Sequence, residues 1–115
     1  AESILEHLKN LVDSCREQGK LVVGYGAAAK GMTVLNAKNI QLDWIVDDNE
    51  LKQGLFTPGT NIPIKDKSSL EIDKEIVVIP LAWNFFNEIK SNVKKIRDDS
   101  NTQYVQYFPR VMFIS

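Results

Sequence analysis

Only one cysteine and one histidine occur among these 115 residues. Cys15 has no partner for an internal disulfide and no cysteine cluster exists to hold a metal, a usage that fits a reducing cytoplasm. No apolar run approaches the roughly 20 residues that span a bilayer, and the N-terminal stretch is amphipathic rather than shaped like a signal peptide, so neither a membrane nor export is expected. An excess of one charge is also missing: 14 Lys and Arg meet 15 Asp and Glu, for a net charge of -1. Without a basic block to neutralise phosphates, nucleic acid is not an expected partner. His7, the lone histidine, has no ligand or triad partner at useful spacing and is expected on the exposed face of a helix. No Ser-His-Asp or Cys-His set can be assembled, and Glu71, Asp73 and Glu75 read as a solvated face.

What is present is the balance of an ordinary globular protein, 43% hydrophobic and 25% charged, at a length that suits one domain with a real core. Ile4, Leu5, Leu8, Leu11, Val12 and Cys15 recur at helical spacing; Ser3 with Glu6 is a capping box and Gly19 a stop. Leu21-Val22-Val23 reads as a strand buried on both faces. A helix from about Ala27 to Ala37 and a strand Trp44-Ile45-Val46 follow. Residues 52–64 carry two glycines and two prolines, which excludes a regular helix and leaves an ordered loop with a short edge strand near Ile62 to Ile64. Ser68 or Ser69 starts a brief helix, and Glu75 to Ile79 is a third buried strand that Pro80 ends. Asn84 caps a helix carrying Phe85, Phe86, Ile89, Val93 and Ile96. Tyr104 to Phe108 is the last main strand, with a tail at Val111 to Ile114. Alternation of strands with helices predicts an α/β fold: Rossmann-like and doubly wound, mainly parallel, with helices on both faces of the sheet.

The run Gly24-Tyr25-Gly26-Ala27-Ala28-Ala29-Lys30-Gly31 follows the first strand and opens a helix. Gly24 and Gly26 permit a tight turn and close backbone approach, with Ala29 in the third small position. Asp47-Asp48 lies about 20 residues on, where a ribose-binding acid stands in dinucleotide folds. Small residues suit any tight βα turn as well, so a nucleotide-like ligand and a purely structural turn are both open here. Lys30, in the first turn of its helix, is either a contact for a phosphate or carboxylate or a solvated cation. Asp47 either accepts from a ribose or sugar hydroxyl or serves a turn. Trp83 and Asn84 offer a stacking face and an amide, or a core ring beside a helix cap. The expected site is the crevice between the Gly24–Gly31 turn and the loop Pro80-Leu81-Ala82-Trp83-Asn84.

Taken together these segments resemble a known family, the C-terminal domain of sugar C-methyltransferases acting on nucleotide-linked deoxysugars. The resemblance rests on the glycine run with Leu35-Asn36, on Asp47-Asp48-Asn49 followed by Lys52-Gln53-Gly54, on Pro58-Gly59-Thr60 with Ile62-Pro63-Ile64, and on Trp83-Asn84 followed by Glu88-Ile89. Two departures stand out. The family usually has Asp-Arg-Asn in place of Asp47-Asp48-Asn49, so an arginine that could meet a phosphate is missing. It usually has Leu-Pro-Trp-Asn where this chain has Pro80-Leu81-Ala82-Trp83-Asn84.

The resemblance implies a parent enzyme with a zinc-binding N-terminal region, a central S-adenosylmethionine-binding catalytic domain, and this chain as the part that positions a nucleotide sugar. It implies Gly24, Tyr25, Gly26, Lys30, Lys52, Thr60, Trp83 and Asn84 as residues lining the substrate side. Lys30 would meet the anionic part, Tyr25 and Trp83 would pack on sugar or base, and Asn84 would meet a hydroxyl or carbonyl. No catalytic residue and no cofactor bound by this segment itself are expected, and the segment alone is expected to be inactive. Two alternatives are an NAD-type module with Asp47 on the ribose, and a structural domain that only docks against a catalytic neighbour.

Overall fold

The computed structural model describes residues 3–27, 29–107 and 110–114. Helix α1 (Ile4–Glu17) starts as its cap predicts: the Ser3 hydroxyl accepts the Glu6 backbone N–H at 3.1 Å. Its apolar stripe buries Leu8, Val12 and Cys15, and Gly19, at φ +84°, turns the chain out of the helix as a residue without Cβ can. Strand β1 (Leu21–Tyr25) runs two residues beyond its apolar triad. Gly24 and Tyr25 keep pairing with neighbours on both sides, Ile45 and Val46 on one and Ile79 and Pro80 on the other.

Helix α2 (Ala29–Ala37) begins two residues later than expected, because Gly26 at φ +91° spends the intervening residues on the turn. Strand β2 (Trp44–Val46) is where the sequence puts it. No helix covers the crossover to β3 (Ile64–Lys65). The loop instead folds back as a hairpin, with Gly54 N–H donating to Ile64 O and Ile64 N–H to Leu55 O, both at 2.9 Å.

A single 3-10 turn (Lys67–Leu70) leads to β4 (Ile76–Pro80), another (Trp83–Phe85) to α3 (Phe86–Lys94), and a third (Asp99–Asn101) to β5 (Thr102–Gln106). Strand β5 thus starts two residues earlier than expected, and the expected end at Phe108 lies outside the described residues. The tail forms β6 (Met112–Ile114), an antiparallel edge strand. Asn84 does not cap α3. Phe85 holds that position with no side-chain cap bond, because the 3-10 turn, closed by Phe85 N–H to Ala82 O at 2.9 Å, runs straight into the helix.

The sheet order is β3-β2-β1-β4-β5-β6, parallel except for the last pair. Helices α1 and α2 pack Leu8, Val12, Cys15 and Leu35 on the face carrying Val22, Ile45, Val77 and Val105. Helix α3 packs Ile89 and Val93 on the face carrying Val23, Val46, Val78 and Tyr104. The architecture is the Rossmann-like, doubly wound sheet that alternating elements imply.

One anchor has no signature in the sequence pattern. The Arg97 guanidinium donates to the carbonyls of Leu70, Ile72, Lys74 and Asn101 and to the Thr102 hydroxyl, tying together the segments that enter β4 and β5.

Candidate functional site

Strand order reverses between β1 and β4, since β1 continues to β2 on one side while β4 lies on the other. At such a point the loops leaving the two strands part and a crevice opens at their carboxyl ends. The structure brings the two predicted loops together there: Leu81 N–H donates to Tyr25 O at 3.0 Å, and the position a Gly26 Cβ would take is 4.0 Å from Ala82 Cβ.

The glycines here serve packing. A Cβ on Gly24 would stand 2.9 Å from methyls of both Leu42 and Leu81, and one on Gly31 would stand 2.7 Å from Leu81 Cβ. Leu81 is fully buried between them, a burial that contributes about 1.5–3 kcal/mol. Gly31, two residues after Ala29, is therefore a position where the helix packs closely against the chain leaving β4. The side chain of Ala29 lies outside the described part of the structure.

Asp47, nine-tenths buried at the end of β2, reaches back to the turn. Its Oδ2 accepts the Ala27 N–H at 2.7 Å and its Oδ1 accepts the Asn49 N–H at 2.8 Å, while Gly26 N–H donates to Val46 O at 2.7 Å. In a dinucleotide site the turn amides face a pyrophosphate and the strand-end acid faces a ribose. Here the acid occupies the amide itself, so the turn is closed from within and the NAD arrangement loses both contacts.

Lys52 completes the closure from the β2–β3 loop, donating to Ala27 O at 2.9 Å with its ammonium 3.9 Å from Asp47 Oδ2. Gln53, to which the sequence reading gave no role, donates from its amide to Asp47 O at 2.9 Å. Nothing in the sequence periodicity points to Gln53, since it acts through a loop whose path only the fold defines.

Tyr25 is buried on the α3 face and donates to the Asp48 carboxylate at 3.0–3.1 Å. Burial first, then the Asp48 charge and hydrogen bond, push its hydroxyl up to about 12, while a hydrogen bond from Asn92 on α3 works the other way. Tyr25 is therefore a fixed donor that holds Asp48, with no ring face open for stacking.

Asn84 is exposed in the turn between β4 and α3. The side chains of Lys30 and Trp83 lie outside the described part of the structure, so their expected contacts have no counterpart here. Thr60 is not brought to the crevice. It is buried, its hydroxyl 2.6 Å from that of Thr57, and its carbonyl accepts from Gln41, which precedes β2 at the opposite end of the sheet.

The crevice mouth thus presents Lys52, less than half exposed, with the exposed groups Asp48 and Asn84. Donor, acceptor and amide together suit a ligand rich in hydroxyl and carbonyl groups more than a bare anion.

His7 is exposed as expected. Cys15 is buried, and that burial raises its thiol pKa, with Lys20 opposing the shift, so the thiol is a packing group. Among the described residues no helix is long and apolar enough to cross a membrane, and no three His, Cys, Asp or Glu side chains gather as a metal site.

Fold and site define a Rossmann-like α/β domain with a polar crevice at the carboxyl ends of β1 and β4 and a glycine turn sealed by its own aspartate and lysine. The chain belongs to the C-methyltransferase C-terminal domain family, which it matches over residues 1–109. It is 30% identical over 117 aligned positions to the C-methyltransferase NovU of Streptomyces niveus, an alignment covering 99% of this chain and 28% of that relative. The chain therefore spans less than a third of the relative's length.

Proposed function

We propose that this domain binds and positions the nucleotide-linked sugar of an S-adenosylmethionine-dependent C-methyltransferase, as the C-terminal part of a larger cytoplasmic enzyme. The observation that carries this reading is the mouth of the crevice. Lys52 is pinned by Ala27 O and Asp47, Asp48 by Tyr25, and Asn84 is exposed in the turn that follows β4, the other strand bordering the crevice. A lysine held by two partners has already lost much of its side-chain freedom, so its remaining N–H meets a ligand at reduced entropic cost.

In the parent reaction a base would remove a proton from the carbon next to a sugar ketone, and the enolate carbon would take the methyl group of S-adenosylmethionine as its S–CH3 bond breaks and the neutral thioether leaves. This chain's residues would orient the sugar and keep water from the enolate. On this reading the S-adenosylmethionine and zinc sites belong to parts of the parent outside this chain. The test is steady-state kinetics of the full-length enzyme on a thymidine diphosphate keto sugar. Lys52→Ala with Asn84→Ala is expected to raise KM about tenfold, the scale of one to two lost hydrogen bonds. Unchanged KM and kcat in that double variant would remove the site assignment.

A nicotinamide-binding module would need the Ala27 N–H and Asp47 free, and these two are bound to each other.

A further inference from the structure

We infer that the cavity between α3 and the β5–β6 edge of the sheet is a second ligand site, and that it takes a small carboxylate carried on an apolar body. The cavity measures about 450 Å³, within the range of small-molecule sites. Among the described residues β6 pairs with β5 only from Tyr104 to Gln106, which leaves the sheet edge open beside Thr102 and Gln103, and the cavity lies there. Thr102 stands opposite Ile76, the first residue of β4. This site is therefore at the amino ends of the strands, whereas the crevice is at their carboxyl ends, and it does not depend on the sugar reading.

Two groups in the cavity wall lack a partner. Lys90, half-buried on α3, holds its ammonium 5.8 Å from the ring centres of both Phe86 and Tyr104, and among the described residues it makes no ion pair or hydrogen bond. That distance is the outer limit of a cation–π contact, so the charge keeps most of its capacity for an anion. Tyr104 is only 3% exposed, and its hydroxyl is buried with no hydrogen-bond partner among the described residues. An unmet buried donor is costly. The Tyr104 ring packs into the core on the α3 side and lines the cavity on the other, so a group that satisfies the hydroxyl enters through the cavity. Burial, then the Asp99 charge, push that hydroxyl up to about 12 against the opposing charge of Arg97, which keeps it a donor at neutral pH.

Charge sets the class of ligand. Lys94 and Asp99, both exposed, pair with each other at 3.5 Å, and Lys90 is left as the one uncompensated charge among the lining residues. A carboxylate matches a single positive charge, whereas a phosphate dianion brings one charge too many. The two oxygens of a carboxylate can also meet two separate donors, the Lys90 ammonium and the Tyr104 hydroxyl. Tyr104, Phe113 and Ile114 supply an apolar wall for the body that carries it.

Fluorine NMR of 4-fluorobenzoate with the full-length enzyme tests this, with 4-fluorobenzamide as the uncharged counterpart. Saturable binding is expected, weakened about tenfold by Lys90→Gln and about fivefold by Tyr104→Phe, the scale of one charge-assisted and one neutral hydrogen bond. Tyr104→Phe keeps the ring and removes an unmet donor, so its urea denaturation should match wild type and its loss of binding is not a loss of fold. Absence of saturable binding overturns the site, as does undiminished binding in either variant or equal binding of the amide. Phenyl phosphate binding more tightly than 4-fluorobenzoate overturns the carboxylate class. Displacement of the probe by a thymidine diphosphate keto sugar places it in the crevice and overturns the second site, while retention of the probe under saturating sugar supports it.

Discussion

The two halves of the loop between β2 and β3 carry motifs of similar weight in the sequence and serve opposite ends of the molecule. Its first half, Asp47 to Gln53, bends over the glycine turn and supplies the wall of the crevice. Its second half seats Pro58-Gly59-Thr60 on α2. Gly59, at φ +82°, lies so close to the Asn36 amide that a Cβ would collide with it, and the Thr57 hydroxyl accepts the Ile62 N–H at 2.8 Å. Glycine and threonine in that half are answers to packing, whereas lysine and the second aspartate in the other half keep polar atoms toward solvent. A distinctive motif therefore marks a place where geometry is demanding, and chemistry is only one of the demands.

The contrast can be broken most forcefully at Gly59. Gly59→Val combines a left-handed backbone with a collision against Asn36 and is expected to cost about 3 kcal/mol or more in urea denaturation. Gly59→Ala combined with Asn36→Ala should recover part of the loss. If the proposed sugar-nucleotide binding is found, both variants should retain it in their folded fraction, and its loss at unchanged stability would erase the distinction between the halves.

Asp47→Ala is the structural exception within the first half. It strips the acceptor from two backbone N–H groups and leaves Lys52 without its anion, for an expected loss of about 2 kcal/mol. A midpoint of denaturation equal to wild type would mean that the turn does not need its internal carboxylate.

Smaller effects come from the tyrosines. All three are shifted upward, Tyr25 and Tyr104 to about 12 and Tyr107 in the same direction, with burial the leading cause. A hydroxyl whose folded pKa exceeds its unfolded value of about 10 favours the folded state fully below that value, and the stability is lost as pH rises toward the folded pKa. Tyrosinate absorbance near 295 nm should stay silent through pH 10 and appear together with loss of structure above it. Ordinary titration of one tyrosine near pH 10 in the folded protein would contradict its burial. Tyr25→Phe is expected to cost about 1 kcal/mol at neutral pH by freeing Asp48.

Least of all for stability, Lys52→Ala should change denaturation by less than about 1 kcal/mol, because it removes one hydrogen bond from a part-exposed ammonium to Ala27 O and a long pair with Asp47. A thermal shift several times larger would make Lys52 a structural residue like Gly59.

Much of the fold was legible because burial writes itself into local pattern. Strand β2, the cap at Ser3, the stop at Gly19 and the order of elements follow from apolar periodicity and backbone chemistry. Boundaries moved where two segments compete for one residue, as when the turn at Gly26 delays α2 or the 3-10 turn takes Asn84 out of the capping position. The candidate site was legible in its location and less so in its members. Lys52 reaches the glycine turn and Asn84 is exposed after β4, whereas Thr60 lies at the far end of the sheet and Tyr25 faces inward.

Residue order by itself determined the family, the alternation of strands and helices and the place of the crevice, because each depends on neighbours along the chain or on hydrophobic period. Only the tertiary structure decided that Asp47 closes the turn on itself, that Lys52 joins it from a loop, and that Leu51 stands clear of the core. Those contacts join segments 20 or more residues apart or depend on what no segment covers, and such relations exist only once the chain is folded.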